Sequence, residues 1–491
     1  MIRTGFLGDG RRMTADFFRA RLETMIDLRH PLAVLATRLD WAGIEAGLAP
    51  LFARSARPGR EVEDCDLFGP TVQVAGAGAS VAGRPRLPIR LMVSLLYLKH
   101  AFNESDESVC ARWAENVVWQ FFSGMAYYEP RLPCDPTQLG RFRRVLGEAG
   151  VEELLSRTLT AAVSMKAVTP VELEVVVVDT TVQEKAVAYP TDSRLLEVAR
   201  AKIALLAKRA GVELKQTYAK EGKSLRRRAG GYAHAKQFKR LRRVLKRQRT
   251  ILGRLLRDVR RKMETLPADA QTSLSLWLER AERIRTQRPK DKNKLYALHA
   301  PEVECIGKGK ARQPYEFGVK VGIAIGIDCG LIVGARSFAG NPYDGHTLGE
   351  QLEQSAILLE DVGARPRTVY ADLGYRGGDD AIAPMKLIHR GKYKSLAEDE
   401  RKRLKRRQAV EPVIGHLKQE HRMHRCWLKG SEGDALNAVL SAAGYNLRWL
   451  LRAIVRLGLE PNVLRRLLVA FVAYWRALTS ERDENQTVMM V

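Results

Sequence analysis

Three carboxylates stand where their neighbours could turn them to chemistry. Asp179 follows Leu173 to Val178 (LEVVVV), a β-branched run of the kind buried on both faces of a sheet, and is expected at the C-terminal end of a central strand. Asp372 closes a second short strand, Arg367 to Ala371, and precedes the turn Gly374-Tyr375-Arg376-Gly377. Glu411 comes after the basic run Arg401 to Arg407, beside a helix expected to end near Trp427; Pro412 either opens that helix or kinks it. Each acid taken singly is more often a solvated surface group. Together, two strand-end carboxylates and one from a late helix can meet at one edge of a sheet. Such a set suits two divalent ions about 4 Å apart, one activating water or a 3′-hydroxyl and the other stabilising the leaving oxygen of a phosphodiester. Mg2+ fits because every protein ligand is a hard oxygen, with Mn2+ as its substitute, and no side chain need become covalently attached.

These residues sit in a strongly basic chain. Its 491 residues carry 82 Lys and Arg against 56 Asp and Glu, a net charge of +26, and 45% of them are hydrophobic. Two to four domains are expected, and disorder is excluded as a global description. The positive potential points to a polyanion, with nucleic acid first and a solvated basic surface or ribosomal-type tail as the bland alternative. Six scattered cysteines form no C-x-x-C pair, so a reducing cytosol fits. The arginines among residues 1 to 30 leave no signal-peptide core, and Leu464 to Leu478 is interrupted by Arg465, Arg466 and Arg476. The expectation is a soluble cytoplasmic, nucleoid-associated protein.

The positioning elements follow from periodicity. Residues 14 to 54 read as helical, Val72 to Gly83 as a Gly/Ala/Ser-rich linker or loop, and Leu87 to Ala101 as a helix opened by Pro88. Asn103 to Asp106 supplies turn and cap chemistry for another helix, and Gln138 to Ala161 forms a third. This helix-turn-helix order is either a DNA-reading unit or plain bundle packing. From Ser193 to about Arg288 the pattern is helical. Residues 223 to 262 hold 17 Lys and Arg against Asp258 alone, with apolar residues at helical spacing between them. A like-charged face of this density repels itself unless a polyanion lies along it, so Arg240, Arg243, Arg247 and Arg254 are candidate DNA contacts. Beyond Pro301, Tyr315 to Ile327 and Leu331 to Ser337 read as a hairpin, followed by a Gly/Pro/Asn loop and a helix from Thr347 to Leu359. A last apolar helical region runs from Leu436 to about Trp475.

Taken together, GRPRLPIRLMVSLLYLKHAFNESDESVCARW, VVVVDTTVQEKAVAYPTD, GNPYDGHTL, YADLGYRG and VEPVIGHLKQEHRM resemble the RNase H-like DDE transposases of bacterial insertion sequences, particularly the insertion sequence five family, over roughly Arg84 to Leu451. In that family the third carboxylate lies in a Tyr, Arg, Glu, Lys signature; Arg407 and Lys418 match, while Leu404 stands where Tyr is frequent. The resemblance implies an α/β chain: an RNase H-like mixed-sheet catalytic core interrupted by a long helical insertion, with a helical N-terminal DNA-binding domain. It implies cleavage at terminal inverted repeats and transfer into target double-stranded DNA by a homodimer or higher oligomer, with Asp179, Asp372 and Glu411 holding metal and Arg407 and Lys418 near scissile phosphates.

The expected divisions are 1–83, an N-terminal helical segment and linker; 84–168, the helical DNA-binding domain; 169–192 and 300–450, the two parts of the core; 193–299, the basic insertion; and 451–491, a helical tail. A stand-alone nuclease and a binding-only descendant are the rivals. His416, His421 and His424 lack zinc spacing and read as solvated or phosphate-contacting. Asp344 and His346 read as loop residues that touch DNA or form an Asx turn. Glu304 and Glu316 read as structural or exposed, and Trp113, Trp119, Phe121 and Phe122 as core.

Overall fold

A computed structural model describes residues 20–53, 60–66, 69–75, 86–307, 314–378 and 382–459. The chain opens with helices α1 (Leu22–Met25), α2 (Pro31–Arg38) and α3 (Trp41–Leu48), then a two-stranded antiparallel ribbon, β1 (Arg60–Asp66) and β2 (Gly69–Ala75). The expected linker therefore begins as a strand, since residues 72–75 pair with 60–63; the rest of that stretch, with Phe17, Phe18 and the tail beyond 459, lies outside the described residues. Four helices follow: α4 (Ile89–Ala101), α5 (Asp106–Glu115), α6 (Val117–Phe122) and α7 (Pro136–Ser164). Their starts obey local chemistry. Ser105 and Ser108 close a capping box on α5, and Asp135 caps α7 ahead of Pro136.

The sheet is built around β3 (Val175–Lys185). The antiparallel strand β5 (Tyr315–Gly326) lies along one side of it, and the parallel strand β7 (Thr368–Tyr370) lies on the other. Beyond β5 are β4 (Glu304–Gly307) and β6 (Ile332–Phe338), both antiparallel to it; beyond β7 is the parallel β8 (Lys386–Ile388), and β9 (Arg425–Cys426) pairs with the end of β3. Between β3 and β4 the helices α8 (Asp192–Arg209), α9 (Ala219–His234), α10 (Phe238–Met263) and α11 (Ala268–Thr286) form the insertion. After the sheet hairpin come α12 (Asp344–Leu358), α13 (Glu398–Arg406), α14 (Val410–Glu420) and α15 (Gly430–Leu457).

Several expected boundaries move. Asp179 is not at a strand end: β3 runs on to Lys185 because β5 pairs with it from Val176 to Glu184, although β7 stops at Tyr370 opposite Val177. Asp344 and His346 lie in the first turn of α12, not in a loop. Helix α14 stops at Glu420, short of Trp427.

One core joins Leu32, Leu95, Trp113 and Leu155 of the helical region to Val177, Ile323 and Leu447, so the helical N-terminal elements pack against the sheet. Helix α15 makes this junction by packing on both α4 and α7. Trp113, Trp119 and Phe122 are buried in it as expected. The insertion has a separate core built from Leu196, Ile203, Leu252, Leu256 and Leu278. Among the described residues no helix is long and apolar enough to cross a membrane.

Candidate active site

The buried triplet Val176 to Val178 fixes β3 in the middle of the sheet, and its next residue is Asp179. One strand over, β7 carries the chain to Asp372, which leaves the sheet as the cap of a short 3-10 turn over Leu373–Tyr375. Each carboxylate is steadied by backbone: Thr180 N–H donates to Asp179 Oδ1 at 2.8 Å, and Gly374 N–H donates to Asp372 Oδ1 at 2.7 Å. Burial pushes the Asp179 carboxyl up to about 6, and the charges of Asp372 and Asp344 push the same way, against the Thr180 N–H and the Arg407 guanidinium. A pair of half-buried aspartates that repel one another is thus built into the edge of the parallel strands.

A third aspartate stands behind them. Asp344 Oδ1 accepts from the Thr180 hydroxyl at 3.0 Å and from Lys320 Nζ at 2.9 Å, and Lys320 also donates to Pro342 O at 2.6 Å. Asp344 and Asp372 both crowd Gly374, where an added Cβ would meet their oxygens at 3.2 Å and 2.9 Å. Tyr375 is fully buried, and burial together with the charges of Asp179, Asp344 and Asp372 raises its hydroxyl pKa well above the usual phenol value. The sequence flagged Asp344 only as a loop acid and did not single out Thr180, Lys320 or Tyr375. The usable signal was adjacency: Thr180 follows Asp179, and Tyr375 lies three residues after Asp372.

Arg407 opens the 3-10 turn Arg407–Ala409 that links α13 to α14, near enough for its charge to favour the ionised Asp179. Glu411 lies one turn further on, in the first turn of α14, with its side chain exposed. Pro412 is accommodated there because a first-turn residue needs no intrahelical N–H. Among the described residues no three His, Cys, Asp or Glu side chains form a metal-holding group, so neither Glu411 nor Asp344 completes one with Asp179 and Asp372. Two hard carboxylates are nonetheless a sufficient protein donor set for Mg2+, which takes its remaining ligands from water and substrate phosphate. Lys418 Nζ is 3.7 Å from Glu316 Oε2, which is buried in β5, and so is tied to the sheet.

The other expected contacts are dispersed. Arg240, Arg243 and Arg254 are exposed on the outer face of α10, whose inner face buries Ile251, Leu252, Leu255 and Val259. Arg247 pairs with Glu221 at 2.7 Å. His346 is exposed, its ring edge-on to Tyr343 at 5.6 Å. His416 pairs with Glu420, but His421 is buried and its Nδ1–H donates to His100 O at 2.9 Å, which corrects its solvated reading.

Residues 69–145 match the family described as Transposase domain (DUF772), and residues 281–447 match Transposase DDE domain. The second match contains Asp372 and Glu411; Asp179 precedes it across the insertion. A Rhizobium meliloti protein described as "Uncharacterized protein ORF8 in nfe locus" is 39% identical over 223 residues, 45% of this chain and 95% of that protein. No solved structure matches. With two transposase domains in order and paired aspartates on neighbouring strands, the chain belongs to the DDE transposases of insertion elements, enzymes that cut and join DNA.

Proposed function

We propose that this chain binds the terminal inverted repeats of its own element, cleaves the ends by metal-dependent hydrolysis, and joins them to target DNA by transesterification. The observation that carries the reading is the Asp179–Asp372 pair, whose mutual repulsion at a half-buried strand edge is relieved by a divalent cation. Asp179 and Asp372 would hold Mg2+, and Glu411 would complete the set when substrate draws α14 inward. When bound, two such ions supply activation of the attacking water or 3′-hydroxyl and stabilisation of the leaving oxygen.

The chain's own groups contribute charge and position. Arg407, whose charge reaches Asp179, would offer a guanidinium able to grip a phosphate bidentately, and Lys418 on the same helix run a second cation. The Thr180 and Gly374 N–H groups fix which carboxylate oxygens remain for metal. A mixed sheet with its acids on adjacent parallel strands supports an RNase H-like core, and insertion sequence five is the family reading we retain. Exposed Arg240, Arg243 and Arg254 on α10 support a role for the insertion in DNA contact, and paired element ends favour a homodimer or larger assembly.

The test is strand transfer by the purified protein with Mg2+, using DNA from the flanks of its own gene and Asp372→Ala as control. Joined products that vanish in the variant support the reading. Binding of those ends with neither nicks nor joins, in Mg2+ or Mn2+, would overturn it in favour of a binding-only descendant.

A further inference from the structure

Two surface cavities lie on either side of one short loop, and several cations line each of them. The first, about 570 Å3, opens beside Asn103 and is bordered by Lys418, Arg422, His424, Arg425 and the exposed Trp427. The second, about 590 Å3, lies beyond Phe102, where Arg448, Arg452 and Arg456 of α15 line it together with Arg112 of α5. No aspartate or glutamate borders either cavity among the described residues. The loop between them is locked to α14 and the turn that follows it: Asn103 Nδ2 donates to Gln419 O at 3.2 Å, and Arg422 Nη1 donates to Asn103 O at 3.2 Å. Phe102 borders the second cavity and its chain neighbour Asn103 the first, so the two clusters meet along one seam.

The guanidinium groups are pre-set for oxygen ligands. Arg112 lies over the Trp119 ring at 4.9 Å, Arg448 over Phe102 at 5.1 Å, Arg456 over Trp449 at 5.7 Å and Arg425 over Trp427 at 5.3 Å. Stacking uses the face of a guanidinium and leaves in-plane N–H donors directed outward, the geometry that grips phosphates. Arg448, Arg452 and Arg456 are all exposed and recur every four residues, stepping about 6 Å along the helix. That spacing is close to the separation of successive phosphates along one strand of a duplex, which winds as it rises along the axis. The nearby acids offset this only in part: Glu104 pairs with Arg112 at 2.7 Å, Glu420 pairs with His416 at 2.7 Å, and Glu316 lies 3.7 Å from Lys418.

We propose that this seam, between the helical N-terminal elements and the α14–α15 region, is a track for the sugar–phosphate backbone of duplex DNA leading to the aspartate pair. Lys418 in the seam and Glu411 at the other end of α14 are about 10 Å apart along the helix, so DNA in the track is directed at the site. The inference rests on the reading of the chain as a DNA-cutting enzyme, and it assigns the main backbone contact to the seam instead of to α10.

The test measures binding of the full chain to a duplex of about 30 base pairs, roughly three helical turns, over a salt series in EDTA. Arg448→Glu/Arg452→Glu/Arg456→Glu is compared with Arg240→Glu/Arg243→Glu/Arg254→Glu on α10; all six side chains are exposed, and thermal melts check folding. The seam variant is expected to flatten the slope of log K against log salt by about 3, near 0.9 for each phosphate that is no longer neutralised, while Arg→Lys at the same three positions keeps most of it. Wild-type affinity and slope in the seam variant, with wild type still nicking DNA in Mg2+, overturn the track and leave the enzyme reading standing. A wild type that neither binds nor nicks overturns both.

Discussion

Lys320 and Asp344 form a 2.9 Å ion pair directly behind the aspartate pair, joining strand β5 to the first turn of α12. Lys320 is mostly buried and Asp344 is part-exposed, at 12% and 29% side-chain accessibility, so the pair lies between the surface and interior regimes. Its value is local: it neutralises an acid whose charge otherwise adds to the repulsion at Asp179. Lys320→Met should therefore cost about 1–3 kcal/mol in urea denaturation at neutral pH, because Asp344 keeps its charge without its partner. Adding Asp344→Asn should recover about half of that loss, the Asn oxygen still accepting from Thr180. Strict additivity of the two changes would show that the pair is not coupled.

Burial lowers the His421 pKa from 6.5 to about 4, and Arg448 and Arg452 add to this against the His100 carbonyl bond and Glu420. A folded-state pKa below the unfolded one means the contribution is fully present above pH 6.5 and is lost as pH falls toward 4, where the unfolded chain protonates first. A shift of this size is worth about 3 kcal/mol at most. Gln in place of His421 can still donate to His100 O without titrating. The stability difference between pH 7.5 and 4.5 should thus shrink by about 2–3 kcal/mol in His421→Gln. An unchanged pH dependence would assign the acid sensitivity elsewhere.

What the sequence revealed and concealed follows from the range of each interaction. Asp179 and Asp372 were visible because apolar strand residues precede each of them. The continuation of β3 through Thr180, Thr181, Gln183 and Glu184 was not, since it is imposed by pairing with β5, a non-local partner beyond the insertion. Strand β8, only Lys386–Ile388, is too short to leave a period-2 signature. The start of α12 was hidden by the Gly, Asn and Pro residues just before it, whose turn chemistry was extended too far toward Thr347. The burial of His421 depends on the His100 carbonyl of α4, and no local pattern reports that contact. The helices between β3 and β4 read well because their amphipathic period is local and long.

Asn446 predicts a cost for losing a buried polar knot. Its Oδ1 accepts from Ile332 N–H at 3.0 Å, while its Nδ2 donates to Ile332 O at 2.9 Å and Thr158 Oγ1 at 3.0 Å, joining β6, α7 and α15. Asn446→Leu conserves approximate volume but orphans the Ile332 groups in a dry interior, and should destabilise by about 3 kcal/mol or more. Chemical denaturation reads this directly. A loss below about 0.5 kcal/mol would mean that water replaces the side chain.

Gly444 sets the approach of α15 to α4. A Cβ there would stand 2.6 Å from the carbonyl carbon and Cβ of His100 and 2.8 Å from the Ala101 nitrogen, and backbone atoms within a packed helix cannot swing aside. Gly415, in α14, has nothing within 4 Å of its Cβ position. Alanine in a helix interior is favoured over glycine by about 1 kcal/mol, so the intrinsic gain is alike at the two sites and only the surroundings differ. Gly415→Ala should stabilise by about 0.5–1 kcal/mol, whereas Gly444→Ala should lose about 1–3 kcal/mol as α15 is forced off α4. Paired denaturation curves decide it. Equal gains at both positions would mean that the helical region and α15 are not held in the close contact on which the shared core depends.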